Sequence, residues 1–291
     1  MEHIKPKKSL GQNFLIDKNI AKKIVDSLEI SPDDFVVEIG PGTGSLTEFL
    51  VKKCFKLILI EIDVRAVEIL NKKFGHLKNV TILQNDFSKL NLNDTVVNHF
   101  FKNSEELNLS NLNSQQKKKI KLIGNIPYYL TSDILFKIFE NADIIDVCVL
   151  TVQKEVALRI VSPPGNKIYG ILSIAAKLSG EPKLLFDVPP MCFHPPPKVI
   201  SSVIKLNLQR KFTKFEFDEI MILVKKAFNQ RRKILRNSLK EYFSLIKTNE
   251  NFSEKNKDFI ENYLNKRPEE LSYLDFKELY EYFKSIKREN Q

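Results

Sequence analysis

The segment Asn125-Ile126-Pro127-Tyr128-Tyr129 holds the side chains best suited to chemistry. The Asn125 side-chain oxygen and the Pro127 backbone carbonyl can accept the two hydrogens of an aromatic amino group, which frees the nitrogen lone pair for attack. Proline fixes the local backbone, and Tyr128 can stack on a base, a contact worth roughly 1–3 kcal/mol. The segment therefore predicts methyl transfer to an exocyclic amine by positioning, without a metal or a covalent nucleophile. A turn that only packs two tyrosines is the alternative.

A glycine-rich turn earlier in the chain could hold a nucleotide. Residues 40–44 (GPGTG) follow the apolar run FVVEIG and lead into a helical pattern, so the backbone can turn sharply and approach a ligand closely. Glu61 and Asp86 end the next two apolar runs, where carboxylates can accept hydrogen bonds from ribose hydroxyls and from an adenine amino group. These features fit one adenosine-shaped ligand but leave a dehydrogenase open. The Asn125 segment favours a methyltransferase that uses S-adenosylmethionine.

The elements that must position these residues alternate along the chain. Short apolar runs rich in β-branched residues are separated by helical patterns at 45–53, 64–74 and 132–141. This alternation predicts an α/β fold of the Rossmann-like class I methyltransferase type, with a mostly parallel seven-stranded sheet. The predicted strands are 35–40, 55–61, 80–84, 120–125, 144–152, 183–188 and 199–208. The last two are joined by a proline-rich segment, which indicates an antiparallel pair at one edge of the sheet.

Two regions fall outside this alternation. Asn91–Lys119 is polar, has little periodicity and predicts an excursion from the sheet. After about Arg210 the strand patterns stop, and helices are predicted at 216–243, 254–264 and 275–286. We therefore predict two domains, a catalytic domain that binds S-adenosylmethionine over 1–209 and a helical RNA-binding domain over 210–291.

The basic segment, Lys225–Lys240, has seven basic residues and no acidic ones. If it lies on one continuous helix, an apolar stripe faces inward and the charges of Arg231, Arg232, Lys233 and Arg236 project outward together. Such a surface predicts contacts with RNA phosphates, and a solvated basic face is the alternative. The net charge of +10 fits a polyanionic partner, either a nucleic acid or an anionic membrane surface.

Other features of the composition narrow the class of protein. No apolar run approaches the roughly 20 residues needed to span a bilayer, and the first residues resemble neither a signal peptide nor a transit peptide. The sequence thus predicts a cytoplasmic protein without a membrane contact. Three separated cysteines and four histidines without metal-ligand spacing predict buried thiols and no metal site.

Several long motifs, in this order, resemble the ribosomal RNA adenine dimethyltransferases that act near the 3′ end of small-subunit RNA. The similarity extends over nearly the whole chain. Its motifs are KKSLGQNFLID (Lys7–Asp17), EIGPGTGSLT (Glu38–Thr47), EID (Glu61–Asp63), NIPYYLTS (Asn125–Ser132), QKEVALR (Gln153–Arg159), YGILS (Tyr169–Ser173), VPPMCFHPPPKVISSV (Val188–Val203) and FNQRRKILRNSL (Phe228–Leu239).

The resemblance implies a role for each site residue. Asn13 and Leu15 would close over the cofactor, and Gly40 and Gly42 would form its floor. Glu61 would hold the ribose and Asp86 the adenine amino group. Asn125 would border both cofactor and target base, and Tyr128 and Phe193 would sandwich the flipped adenine.

The resemblance also implies a reaction and a partner. The expected reaction is dimethylation of two adjacent adenosines, with a role in small-subunit maturation, by a monomer acting on a pre-ribosomal 30S-type particle. The related erythromycin-resistance methyltransferases, which act on large-subunit RNA, are one alternative. A non-catalytic assembly factor is another, although such relatives usually lose the asparagine or tyrosine that this chain retains at Asn125 and Tyr128.

Overall fold

The computed structural model describes residues 4–7, 10–101, 119–247 and 260–289. The strands are β1 (Phe14–Leu15), β2 (Phe35–Ile39), β3 (Lys56–Glu61), β4 (Val80–Gln84), β5 (Ile120–Asn125), β6 (Ile145–Gln153), β7 (Gly180–Val188), β8 (Phe193–His194) and β9 (Ser201–Leu208). The principal helices are α1 (Lys18–Ser27), α2 (Thr47–Leu50), α3 (Val64–Phe74), α4 (Leu92–Val96), α5 (Thr131–Glu140), α6 (Lys154–Val161), α7 (Ile171–Ser179), α8 (Lys214–Asn229), α9 (Leu235–Ser238), α10 (Lys240–Lys247) and α11 (Tyr273–Glu289).

Seven strands form one sheet in the order β4-β3-β2-β5-β6-β9-β7. The first five strands are parallel to one another, and β9 runs antiparallel to both β6 and β7. The prediction of a mostly parallel sheet with an antiparallel pair at one edge is confirmed. Every residue of β2 is buried, as expected for a parallel strand covered on both faces.

A separate two-stranded sheet holds the start of the chain. In it β1 pairs antiparallel with β8, so that Phe14 lies opposite His194 and Leu15 opposite Phe193. Leu15 and Phe193 both enter the hydrophobic core that α1 and the central strands share. This pairing fixes the N-terminal segment against the proline-rich connection between β7 and β9.

The contacts divide the chain into two compact units. One consists of Met1–Ala157 with Gly180–Gln209, and the other of Leu158–Ser179 with Arg210–Gln291. Residues 158–179 thus belong to the helical unit and not to the predicted domain 1–209. In the structure α7 contacts α8 and α11, and the buried Tyr169 donates a hydrogen bond to the Leu271 carbonyl at 2.9 Å. These contacts are distant along the chain and leave no local pattern.

The predicted continuous helix over 216–243 is wrong. Helix α8 ends at Asn229, a turn occupies 230–234, and the chain resumes as α9 and α10. At the turn the Leu235 amide donates to the Lys266 carbonyl at 2.9 Å, and the Leu235 side chain is fully buried. Tertiary contacts thus override local helix propensity here.

Two further predictions, the excursion over Asn91–Lys119 and the helix at 254–264, fall only partly within the described residues. Within Asn91–Lys119, residues 92–101 are helical and 102–118 lie outside the described residues. Likewise, 260–264 of the predicted helix at 254–264 are helical, and the preceding part lies outside them. Among the described residues, no helix is long and apolar enough to cross a membrane.

Candidate active site

A cavity opens at the carboxyl ends of β2, β3 and β5, and we call it the strand-end cavity. Residues 10–15, the β2–α2 turn, the ends of β3 and β4 and the segment 125–130 line it. It brings together most of the predicted site residues, namely Asn13, Leu15, Gly40, Gly42, Glu61, Asp86, Asn125, Pro127 and Tyr128. Parallel strands that end at one edge place these side chains together, although they are far apart in the sequence.

The floor of the cavity requires glycine at position 42. Gly42 has a φ of +57°, and a Cβ built there would stand 2.9 Å from Cδ1 of Phe14. A side chain at this position would therefore be strained and would meet the Phe14 ring. The glycine therefore lets the Phe14 ring of the N-terminal segment pack directly against the turn.

Glu61 is a buried carboxylate held by backbone amides. Its Oε2 accepts from the Gly42 N–H at 2.9 Å, and its Oε1 accepts from the N–H groups of Ile62 and Asp63, each at 2.9 Å. Burial raises the pKa of Glu61, while these three amides oppose the rise. The carboxylate is thus fixed in place at the cavity wall, where it lies next to the glycine turn.

Glu38 is a cavity residue that the sequence analysis did not assign. It is 1% exposed within β2, and its Oε2 accepts from the Thr47 hydroxyl at 2.7 Å. Burial, with a smaller contribution from the charge of Glu61, raises the pKa of Glu38 to about 8. Glu38 is therefore mainly protonated at neutral pH. The available signal was an acid inside an otherwise apolar strand.

Asp63 joins the N-terminal segment to the end of β3. It accepts from Nε of Arg65 at 3.0 Å and from Nε2 of Gln12 at 2.9 Å, and Nζ of Lys7 lies 3.6 Å away. Arg65 also donates to the Lys5 carbonyl at 3.0 Å. The hydrogen bond with Arg65 holds the pKa of Asp63 well below its usual range. This role of Asp63 was not predicted, because its N-terminal partners lie more than 50 residues away in the sequence.

Asp86 stands at the end of β4 with one oxygen already fixed. Its Oδ1 accepts from the Ser88 amide at 3.0 Å and from the Ser88 hydroxyl at 2.7 Å. Its Oδ2 lies 3.7 Å from Nζ of the exposed Lys89. The local turn thus sets the direction of this carboxylate in the cavity wall.

Asn125 has an amide whose orientation is set by the N-terminal segment. Its Nδ2 donates to the Asn13 backbone carbonyl at 2.9 Å. Among the described residues, no donor reaches its Oδ1. The amide oxygen therefore keeps its full capacity to accept hydrogen bonds from a group bound in the strand-end cavity.

The Pro127 carbonyl, predicted to be the second acceptor, is used within the protein. It accepts from the Leu130 amide at 3.0 Å and from the Thr131 hydroxyl at 3.4 Å, because a tight turn begins at Tyr128. The turn that follows thus competes with the predicted role of this carbonyl as an acceptor for the target amine. The Ile126 carbonyl, one residue earlier, has no donor among the described residues.

The two aromatic residues predicted to sandwich a base lie in different surroundings. Tyr128 lines the cavity, and its hydroxyl is 2.8 Å from Oγ of Ser201. Phe193 is 2% exposed within the core and is not among the residues that line the cavity. The structure therefore places the Tyr128 ring in the cavity wall and the Phe193 ring in the core.

In the basic segment, Arg231 differs from the other predicted residues. Its guanidinium donates to the Lys167 carbonyl at 2.7 Å and lies 3.6 Å from Glu269, so it connects parts of the helical unit. Arg232, Lys233 and Arg236 are exposed. Of the four residues predicted to project outward together, these three are exposed as expected.

Comparisons with known proteins agree on one family. A family model described as ribosomal RNA adenine dimethylase matches residues 3–284. The chain is 43% identical over 234 residues to ribosomal RNA small subunit methyltransferase A of Alkaliphilus metalliredigens, covering 80% of this chain and 76% of that protein. It is 39% identical over 278 residues to the protein of the same name in Phocaeicola vulgatus, covering 95% of this chain and 89% of that protein.

Solved structures give the same result. A dimethyladenosine transferase from Plasmodium falciparum superposes with a TM-score of 0.74 at 27% identity, over 94% of this chain and 98% of that one. The 23S rRNA methyltransferase ErmE, at 21% identity and a TM-score of 0.61, covers 92% of this chain and 100% of its own and shares the class I methyltransferase fold. The chain belongs to the ribosomal RNA adenine dimethylase family.

Proposed function

We propose that this protein dimethylates the N6 amino groups of two adjacent adenosines near the 3′ end of small-subunit ribosomal RNA, with S-adenosylmethionine as the methyl donor. It acts as a monomer in the cytoplasm on a precursor of the small subunit and contributes to the maturation of that subunit. The name shared by its curated relatives supports the choice of the small subunit. The observation that carries the chemistry is the Asn125 amide, whose nitrogen is held by Asn13 and whose oxygen is left to accept.

The residues of the strand-end cavity fit S-adenosylmethionine. A Cβ built at Gly40 would lie 4.0 Å from the Asn125 carbonyl oxygen, so the turn is open on that side and a flat ligand can lie against it. The Glu61 carboxylate, held by three amides, can accept from two ribose hydroxyls, and Oδ2 of Asp86 can accept from the adenine amino group. The bound donor supplies a methyl group activated on a sulfonium sulfur.

The target amine meets two acceptors of this chain. Oδ1 of Asn125 accepts one amino hydrogen, and the Ile126 carbonyl accepts the other in place of the predicted Pro127 carbonyl. Together they favour a pyramidal nitrogen whose lone pair is directed at the methyl group, so the interaction strengthens towards the transition state. Neither an amide nor a peptide carbonyl is basic enough to keep the surplus proton, which passes to solvent after transfer.

Tyr128 holds the target base by stacking on one of its faces. Its ring lines the same cavity as Asn125, so capture of the base and activation of its amine occur at one place. We leave Phe193 out of this step because its ring is almost fully buried. Pro127 contributes a fixed backbone that begins the turn carrying Tyr128.

RNA is held in part by the exposed charges of the basic segment. Arg232, Lys233 and Arg236 contact phosphates, which position an RNA without reading its sequence. Arg231 is excluded from this set because its guanidinium is engaged within the helical unit. The catalytic role thus belongs to the unit that contains the sheet, and this phosphate contact belongs to the helical unit.

The test is methylation with radiolabelled S-adenosylmethionine of three substrates: unmethylated small subunits, fully methylated small subunits and protein-free large-subunit RNA. We expect label only in the unmethylated small subunits, with dimethyladenosine at two adjacent positions identified by mass spectrometry of RNA fragments. Label confined to the large-subunit RNA would assign the protein to the erythromycin-resistance type. Cofactor binding without methyl transfer to any of the three would instead indicate a non-catalytic factor.

A further inference from the structure

A hydrogen bond connects Tyr128, the proposed stacking residue, to strand β9, which is distant from it in the sequence. The Tyr128 hydroxyl lies 2.8 Å from Oγ of Ser201, although 73 residues separate the two. Tyr128 follows β5, and Ser201 is the first residue of β9. Because β6 lies between these strands in the sheet, the bond reaches across one strand.

Ser201 is a rigid point of attachment. It is fully buried and pairs on one side with Gln153 of β6 and on the other with Val188 of β7. The preceding carbonyl, of Ile200, accepts from the Lys154 amide at 3.0 Å. Its backbone is thus constrained by both neighbouring strands, so its hydroxyl has little freedom to move.

Tyr128 has no comparable constraint of its own. It lies in a turn of three residues, Tyr128–Leu130, and its side chain is half-buried at the cavity wall. A phenol ring rotates about two torsions, and the bond to Ser201 restrains the far end of the ring. Because the hydroxyl oxygen lies on the long axis of the ring, the hydrogen bond fixes the direction of that axis and therefore the place of the ring in the cavity.

We propose that Ser201 is a positioning residue for methyl transfer, acting through the Tyr128 hydroxyl. The inference rests on the proposed function, in which the Tyr128 ring stacks on the target base. A ring whose axis is held at its far end keeps one place in the cavity, so the base stacked on it brings its amine to Asn125 for in-line attack. Ser201 itself touches neither the base nor the donor.

The first test is the single-turnover methylation rate of Ser201→Ala at saturating cofactor and RNA. We expect a loss of roughly fivefold, the size expected for one neutral hydrogen bond. The RNA concentration at half-saturation should change by less than about twofold, because contacts elsewhere hold the RNA. Ser202→Ala is the matched control. Its hydroxyl is equally buried but donates to Asp187 at 2.6 Å, and its rate should equal that of the wild type.

A double-mutant cycle separates positioning from general damage. Tyr128→Phe removes the other half of the bond and should lose as much as Ser201→Ala, and the double variant should lose no more than either. Ser201→Thr keeps the hydroxyl and should restore most of the rate where its melting temperature matches the wild type. Additive losses in the double variant, or an unchanged rate in Ser201→Ala, would overturn the proposal.

A measurement without RNA tests the attachment directly. In protein labelled with ¹³C in its tyrosine rings, the Tyr128 signals are assigned by their absence in Tyr128→Phe. The resonance of the Tyr128 Cζ carbon, which carries the hydroxyl, should shift in Ser201→Ala and stay unchanged in Ser202→Ala. An unchanged Cζ resonance in Ser201→Ala would refute the attachment, even if this variant is too inactive for kinetics. If the wild type fails to methylate small subunits, the proposed function fails while this measurement still decides the attachment.

Discussion

The strand-end cavity and the basic segment differ in how their charges are held. In the cavity, Glu61 accepts from three backbone amides and Asp63 from Arg65 and Gln12. In the basic segment, Arg232 and Arg236 point their charges to solvent. The first region is organised before a ligand arrives, whereas the second can adjust to a flexible polyanion. Single atoms should therefore matter in the cavity, and total charge should matter in the segment.

Removal of the Glu61 carboxylate should have the largest effect, which is a loss of affinity for the cofactor. Glu61→Ala removes two proposed ribose hydrogen bonds, each charge-assisted and worth about 1.5–3 kcal/mol. The affinity for S-adenosylmethionine, measured by calorimetry, should fall by at least roughly 100-fold. Glu68→Ala, which changes an exposed acid of α3, should bind the cofactor normally. Unchanged affinity in a folded Glu61→Ala protein would remove the ribose assignment.

Asn125→Ala should have the next largest effect, and it should lower the rate of the chemical step instead of the affinity for the cofactor. Loss of one positioned transition-state hydrogen bond typically costs about 10²–10³ in rate. We expect that loss in single-turnover methylation at saturating cofactor, with only a modest change in cofactor affinity. The variant should also melt close to the wild type, since the side chain bonds only to the Asn13 carbonyl among the described residues.

Reversing the charges of the basic segment should have a smaller effect, which depends on salt. Replacing Arg232, Lys233 and Arg236 with Glu should weaken RNA binding and reduce the slope of log affinity against log salt by roughly 2–3. Arg231→Ala is the informative comparison. It should lower the melting temperature through loss of its contacts with Lys167 and Glu269 but leave the slope near the wild-type value. The opposite pattern would place the phosphate contact at Arg231.

The smallest expected effect comes from Glu38, the protonated acid in the cavity, and concerns the pH dependence of stability. Glu38 has a pKa of about 8 in the folded protein against an ordinary value of 4.5. Between these values the unfolded chain ionises and the folded protein keeps the proton. The free energy of unfolding therefore falls as pH rises through this range, by about 1 kcal/mol per pH unit, and no further above the folded pKa.

Glu38→Gln cannot ionise, so it should lose this part of the pH dependence. Relative to the wild type it should gain about 1 kcal/mol of stability between pH 6 and pH 7, as measured by urea unfolding at the two pH values. Thr47 can still donate to the amide oxygen of the substituted side chain, which keeps the hydrogen bond. Parallel curves for the two proteins would show that Glu38 is ionised when folded.

The sequence was sufficient to predict the strand-end cavity because its elements leave local patterns. Buried parallel strands read as continuous apolar runs, and Glu61, Asp86 and Asn125 each stand at or just after the end of such a run. The antiparallel pairing of β9 with β7 was also visible, since a proline-rich connection cannot be a crossover helix. These features depend on residues that are neighbours along the chain.

Other features depend on partners that the local pattern does not reveal. The turn at 230–234 forms where the Leu235 amide donates to the Lys266 carbonyl. The Arg231 guanidinium is held by its hydrogen bond to the Lys167 carbonyl. Similarly, the Pro127 carbonyl is used by the turn that follows it, and Phe193 is buried where β8 pairs with β1. Periodicity shows which side of an element is apolar. It does not show which hydrogen-bond partner a given polar atom finds.

In the proposed mechanism the two regions have separate roles, with the chemical step at Asn125 and the binding of RNA at the basic segment. The most direct measurement is single-turnover methylation of unmethylated small subunits, titrated with substrate, for three proteins. These are the wild type, Asn125→Ala, and the variant with Glu at positions 232, 233 and 236. We predict a lower plateau with an unchanged midpoint for Asn125→Ala, and a shifted midpoint with a nearly normal plateau for the charge-reversed variant. A normal plateau for Asn125→Ala, or a normal midpoint for the charge-reversed variant, would contradict the account.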